Sequence, residues 1–177
     1  YFRRAHFLWE KGTDRSLVLA GVKNKYSWVD WGSSFLISDI LAALLYDQLT
    51  NRDNLQAERQ RLSDAYQKFF SEAGIPGLRY LTFPDSVDPN HHAFWIEFND
   101  SNKREHFITS MAEHNVSAYI GYVPLHTSPK GKELGTTKGK ELKITDHAGK
   151  TLVRLPFYNM KDAEREYICQ MLKQYFT

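Results

Sequence analysis

Apolar residues recur at helical spacing along the first third of the chain and at shorter, strand-like spacing through its middle. Phe2, His6 and Trp9 stand four and three residues apart, which predicts a short helix stopping at Gly12, a common helix-ending residue. Residues 13–34 show no period. Their glycines, charges and aromatics (Tyr26, Trp28, Trp31) read as a packed or functional loop. After Ser33 and Ser34, either of which can cap a helix, Leu36, Ile37, Ile40, Leu41, Leu44, Leu45 and Leu49 form a wide apolar face and predict a buried helix. A second helix follows, with Leu55, Leu62, Tyr66, Phe69 and Phe70 opposite Arg52, Glu58, Arg61 and Asp64. It ends at Gly74, and the two are expected to make one long, kinked arm.

Residues 78–83 predict a short strand, and residues 92–98 (HAFWIEF) a stronger one closed by Asn99 and Asp100. Ser101 offers a cap for a helix whose apolar side is Phe107, Ile108 and Met111. That helix stops near Asn115, and residues 116–122 return as a strand. The Lys-, Gly- and Thr-rich residues 128–143 read as a mobile surface loop. Residues 153–155 give a last short strand before Pro156, and Ala163, Tyr167, Ile168, Met171, Leu172 and Tyr175 mark a terminal helix. Strand, helix, strand, strand, helix predicts an α+β layer, a small antiparallel sheet with helices on one face.

Composition narrows the function classes. A chain of 177 residues, 42% hydrophobic and 25% charged, has material for one sizeable core and too much apolar content for intrinsic disorder. No apolar run approaches the roughly 18 residues that span a bilayer, so no membrane partner is expected. A net charge of +2 does not argue for nucleic acid and leaves an anionic small ligand open. Lys130, Lys132, Lys138, Lys140 and Lys143 are interleaved with Glu133 and Glu141 and carry no aromatic stacking platform, so they read as a solvated loop. Cys169, the single cysteine, has no internal disulfide partner, and the start lacks a signal peptide's apolar stretch, which together point to the cytoplasm. The absence of an initiator Met, with an opening inside an amphipathic helix, suggests a piece of a longer protein.

The seven histidines form no HExxH or CxxC-plus-His pattern, so no metal site is expected. Phosphate-loop, dinucleotide and serine-hydrolase motifs are absent too. Tyr122-Val123-Pro124-Leu125-His126 is more informative. A proline-stiffened loop after a strand can hold a phenol and an imidazole toward a cleft, where either could hydrogen-bond a sugar or phosphate; a packed Tyr and a surface His are the plainer alternative. His91-His92 is open in the same way. Ser33-Ser34 could give hydroxyls to an anion or simply cap a helix. The Tyr26, Trp28 and Trp31 rings could stack on a ligand or pack against a neighbouring subunit. Arg154 could bind a carboxylate or make a structural ion pair.

Four stretches taken together, EKGTDRS (10–16), KYSWVDWGSSFLISDILAALLYDQL (25–49), YVPLH (122–126) and RLPFYN (154–159), resemble the carboxy-terminal half of the pyridoxal-phosphate-dependent sugar-nucleotide aminotransferases. The EKGT and Tyr-x-Trp-x-Asp-x-Gly-Ser-Ser runs resemble its dTDP-4-amino-4,6-dideoxygalactose transaminase branch. The resemblance implies the small domain of a fold type I aminotransferase: 1–35 as the end of the large-domain region and active-site loop, 36–74 as linking helices, and 75–177 as the small α+β domain. It implies no catalytic residue within this chain, because the Schiff-base lysine of such enzymes lies upstream of the EKGT run. It implies that Ser34, at the position of the family's phosphate-binding Asn, reaches the cofactor phosphate of the partner subunit. Tyr122 and His126 match the substrate-lining YxPLH, with Gly121 where many relatives carry His, and His92 matches a His before the aromatic strand. The implied reaction moves an amino group from L-glutamate to C4 of a dTDP-linked 4-keto-6-deoxyhexose for surface polysaccharide, in an obligate homodimer, with the isolated piece inactive. The alternative from another class is a non-catalytic α+β binding module for a nucleotide-sugar or a protein partner.

Overall fold

In the computed structural model, which describes every residue except Thr136, Lys138 and Gly139, helix α1 (Phe2–Trp9) runs into two left-handed residues, Lys11 (φ 59°) and Gly12 (φ 74°). Only glycine fits at 12. A Cβ there would lie 1.8 Å from the Asp30 carbonyl oxygen, because the Gly12 carbonyl accepts the Val29 and Asp30 N–H groups at 2.8 and 2.9 Å. The chain between is folded back on itself by two antiparallel bridges, Glu10 with Ser34 and Thr13 with Trp28. The expected packed loop is present, and it contains a short helix, α2 (Arg15–Leu19).

Asp14 is the buried pin of this loop. Its carboxylate pairs with the Lys23 ammonium and accepts the Ser27 N–H at 2.6 Å. The Lys23 hydrogen bond, then the Ser27 N–H, holds its pKa below the ordinary carboxylate value. Because the folded pKa is the lower one, the stabilisation is present above the unfolded value of about 3.9 and is lost as pH falls through the folded value. Acidification from pH 5 should therefore loosen the loop at pH values below about 4, read as a change in Trp28 and Trp31 fluorescence and faster pepsin cleavage within 14–27. Asp14→Asn should flatten that profile; an unchanged acid profile in the variant would remove Asp14 as the cause.

The next helix starts later than the sequence predicts. Neither Ser33 nor Ser34 caps it: Ser38 is the N-cap, its hydroxyl accepting the Leu41 N–H at 3.3 Å, and α3 spans Asp39–Thr50. Ser34 is instead held in the bridge to Glu10, and the Ser33 carbonyl accepts the Lys11 N–H at 3.1 Å, so both are tied to the end of α1. The expectation that α3 is buried is also corrected. Ile40, Leu41, Leu44, Leu45 and Leu49 are all exposed, Ile40 at 77%. The compact unit that contains α3, Tyr1–Arg52, supplies no layer to cover its apolar face.

The second compact unit is Asp53–Thr177. Its helix α4 (Arg52–Ala73) sends Leu62, Tyr66 and Phe70 into a core shared with Phe107 and Met111 of α5 (Ser101–Glu113) and Ile168, Met171 and Leu172 of α8 (Asp162–Phe176). These helices cover one face of an antiparallel sheet of β1 (Arg79–Tyr80), β2 (Trp95–Glu97), β3 (Tyr119–Ile120) and β4 (Leu152–Arg154), in the order β1-β2-β4-β3. The predicted class, α+β with a small antiparallel sheet and flanking helices, is the observed one. Register separates the two faces. Ile96 pairs with Val153, both fully buried, whereas Trp95, Arg154 and Tyr119 are paired across β2, β4 and β3 in the adjacent row. Side chains alternate along a strand, so that row looks away from the core.

Three local readings change. The cap of α5 is Asp100, not Ser101; its carboxylate accepts the Asn102 N–H at 2.7 Å. The stretch read as a mobile loop holds a helix, α6 (Pro129–Leu134), started by a Ser128 cap with proline in its first turn and stopped by left-handed Gly135. Positions 136, 138 and 139 of that stretch, Lys138 among them, lie outside the described residues. A further helix, α7 (Lys143–Thr151), had no apolar stripe by which sequence could find it, and it leads directly into β4.

Candidate functional site

The outward row of the sheet makes one wall of a cleft of about 510 Å³, lined by His92, Tyr119, Arg154, Pro156 and Tyr158 among others. Arg154 is the cation among its lining residues. Its Nε donates to the Ile120 carbonyl at 3.3 Å, and its guanidinium carbon lies 4.8 Å from the centre of the Tyr122 ring. Among the described residues no carboxylate pairs with it, so the structural ion pair that was open in the sequence is not found. A guanidinium oriented by stacking, with its outer N–H groups unspent, is suited to bind a carboxylate or phosphate two-pronged.

Tyr122 is 81% exposed and serves as the platform for Arg154. His92 is exposed and lines the same cleft. Its Nδ1 lies 2.7 Å from the Asn90 Oδ1, an acceptor, so Nδ1 carries the proton and Nε2 is free to accept one. Its neighbour His91 turns the other way: at φ 43° its ring is buried edge-on to Phe83, and Nδ1 has no partner among the described residues. The left-handed kink at His91 thus separates a buried imidazole from one aimed outward. His126 is placed differently from Tyr122 and His92. It lies in a 3-10 turn (Leu125–Thr127), and its Nε2 is 2.9 Å from Asp146 Oδ1 on α7, which ties the YVPLH loop to that helix. The structure brings Tyr122 and His92 to the cleft, one through Arg154 and one directly, and leaves His126 bonded outside its lining.

Ser34 belongs to the other compact unit, Tyr1–Arg52. The bridge to Glu10 fixes its backbone, its side chain is exposed, and its hydroxyl makes no hydrogen bond among the described residues. With the capping role taken by Ser38, that hydroxyl fits one phosphate contact.

Two polar features escaped the sequence reading. Glu97, buried on β2, receives Arg79 Nη1 at 2.8 Å and the Thr151 hydroxyl at 3.3 Å, with His147 Nε2 at 3.7 Å. The β1–β2 register sets Arg79 opposite Glu97, and the β2–β4 register brings Thr151, next to Leu152, to its other side. The Tyr66 phenol donates to the Pro156 carbonyl at 2.9 Å in the core, and burial pushes its pKa up, so it stays a donor. Pro156 sits on the cleft wall, so this bond connects core and cleft. Among the described residues no group of three or more His, Cys, Asp or Glu side chains could hold a metal ion, and no helix is long and apolar enough to cross a membrane.

Solved structures share this fold. The aminotransferase TlmJ from Streptoalloteichus hindustanus superposes with a TM-score of 0.79 at 18% identity, covering 97% of this chain and 43% of its own. Helicobacter pylori PseC, an aminotransferase involved in the biosynthesis of pseudoaminic acid, gives 0.80 at 16%, covering 97% and 44%. Spr1654 from Streptococcus pneumoniae in its PMP form gives 0.78 at 20%, covering 96% and 43%. This chain therefore spans less than half the length of the solved relatives it matches. The family model described as DegT/DnrJ/EryC1/StrS aminotransferase matches residues 9–173. That match runs from the end of α1 through the cleft into α8, and the chain belongs to the DegT/DnrJ/EryC1/StrS aminotransferase family, whose members are pyridoxal-phosphate-dependent sugar aminotransferases.

Proposed function

We propose that this chain is the carboxy-terminal half of an enzyme that transfers an amino group from L-glutamate to C4 of a dTDP-4-keto-6-deoxyhexose, in the dTDP-4-amino-4,6-dideoxygalactose transaminase branch, working as a cytoplasmic homodimer. In this reading α3 and α4 are the linking helices. The observation that carries the proposal is Arg154: a guanidinium with no carboxylate partner among the described residues, stacked on Tyr122, in a cleft lined by His92, Tyr119 and Tyr158.

The residues divide the work by chemistry. Arg154 grips the diphosphate, since two acidic oxygens match its planar fork and a point charge would not orient them. The Tyr119 and Tyr158 hydroxyls and His92 Nε2 supply neutral hydrogen bonds to the sugar, where an added charge would have to be desolvated. His126 holds the Tyr122 loop to Asp146 and so keeps the Arg154 platform in place. Ser34 contributes one hydroxyl to the cofactor phosphate across the subunit boundary. Bound pyridoxal phosphate supplies the electron sink for amino-group transfer.

Given pyridoxal phosphate, L-glutamate and the keto-sugar nucleotide, the 177-residue chain alone should form no amino-sugar. The longer product of its gene should form it together with 2-oxoglutarate, both detected by mass spectrometry. Amination by the 177-residue chain would overturn its standing as an inactive half. A longer product that aminates other keto-sugars but not this one would overturn the substrate, and one that binds dTDP with no amination at all would leave a binding module.

A further inference from the structure

Between α5 and α8 lies a cavity of about 530 Å³ that shares no lining residue with the Arg154 cleft. Its floor is apolar, built on the buried Phe98, Met111 and Met171. Its rim is polar and carries one sign of charge. Lys103, His106 and Ser110 on α5 and His114 at its C-cap follow one another at spacings of three or four, which places them along one side of the helix. No Asp or Glu lines the cavity, and among the described residues Lys103 has no acidic partner.

The walls are held in place. His106 Nδ1 lies 3.0 Å from Tyr175 Oη, and His114 Nδ1 lies 2.8 Å from the Ser110 carbonyl oxygen. Burial raises the Tyr175 phenol pKa, so that hydroxyl remains a donor at neutral pH. An apolar floor asks for an apolar body, and an unpaired ammonium with neutral donors beside it asks for an anion. The volume lies in the range of small-molecule sites, about 300–1,000 Å³.

We infer that the cavity between α5 and α8 is a second binding site, which takes a flat, apolar-bodied carboxylate with its ring on Phe98, Met111 and Met171 and its acid group at Lys103. This site is independent of the activity proposed for the Arg154 cleft, so its test uses no turnover.

The probe is 1-naphthoate, titrated into the full chain by calorimetry and by NMR of the imidazole ring signals. The neutral 1-naphthalenemethanol and acetate serve as controls for body and charge. Saturable naphthoate binding is expected, with shifts of the His106 and His114 signals and with both controls weaker. Lys103→Met should weaken it about ten- to a hundredfold, the usual range for a hydrogen bond to a charged group. Ser110→Trp, which fills the cavity from α5, should abolish it. If that variant fails to fold, Lys103→Met decides alone. The proposal is overturned if naphthoate moves neither imidazole, if the alcohol binds as tightly as the acid, or if Lys103→Met leaves affinity unchanged. It is also overturned if the chain self-associates through this face and excludes the probe.

Discussion

Phe94→Ala should lower the stability of the Asp53–Thr177 unit by about 3–5 kcal/mol, the usual cost of truncating a buried aromatic ring. Phe94 is 0% exposed. Its ring centre lies 5.1 Å from that of Tyr66 and 6.1 Å from that of Phe70, with Phe70 nearly parallel. Rings of this size cannot slide into the vacated space without leaving their own contacts, so most of the cavity persists. The backbone is committed as well: the Phe94 carbonyl accepts the Leu155 N–H at 3.0 Å, next to the β2–β4 ladder that sets Arg154. The expected result in urea is a lower midpoint with an unchanged slope, and Phe94→Leu should recover part of the loss. A loss below about 1 kcal/mol would mean that the core repacks freely, and Phe94 would then not be what holds β2 against α4.

The parts of this fold that were legible were those where one face is buried against another. Leu62, Tyr66 and Phe70 repeat at helical spacing because they meet a core, and Ile168, Met171 and Leu172 do the same. α7 was invisible for the opposite reason: only Thr151 of its nine residues is buried, so it has no stripe to find. α3 misled by showing a convincing stripe that the described residues of its own compact unit leave exposed, since apolar spacing records that a face can be covered but not by which residues. At the site, Tyr122 and His92 could be named from proline stiffening and from family resemblance. That no carboxylate among the described residues pairs with Arg154 could not, because it depends on which residues the β2–β4–β3 register sets around it. The buried Glu97 cluster was hidden for the same reason: Arg79, Glu97 and the last turn of α7, which carries His147 and Thr151, are separated in sequence and meet only once β1, β2 and β4 pair.

Arg154→Met should weaken dTDP binding by about ten- to a hundredfold while leaving thymidine, which lacks the diphosphate, unaffected. The lower figure corresponds to losing one hydrogen bond to a charged group and the upper to losing a two-pronged pair. Methionine keeps much of the side-chain volume, so the change tests charge and geometry rather than packing. Arg154→Lys separates those two. It keeps the positive charge but loses the fork and most of the stacking on Tyr122, so it should recover little of the affinity. Tyr122→Ala leaves the guanidinium in place without its platform and should cost less, about 0.5–2 kcal/mol, the range of a cation–π contact. The order expected from calorimetry is therefore wild type, Tyr122→Ala, Arg154→Lys, Arg154→Met. If Arg154→Lys matches wild type, the site senses charge alone. If Arg154→Met binds dTDP as wild type does, the diphosphate lies elsewhere and Arg154 is left to the glutamate carboxylate, which would appear as a raised KM for glutamate in the longer enzyme. The diphosphate assignment predicts the other pattern, a raised KM for the sugar nucleotide with that for glutamate unchanged.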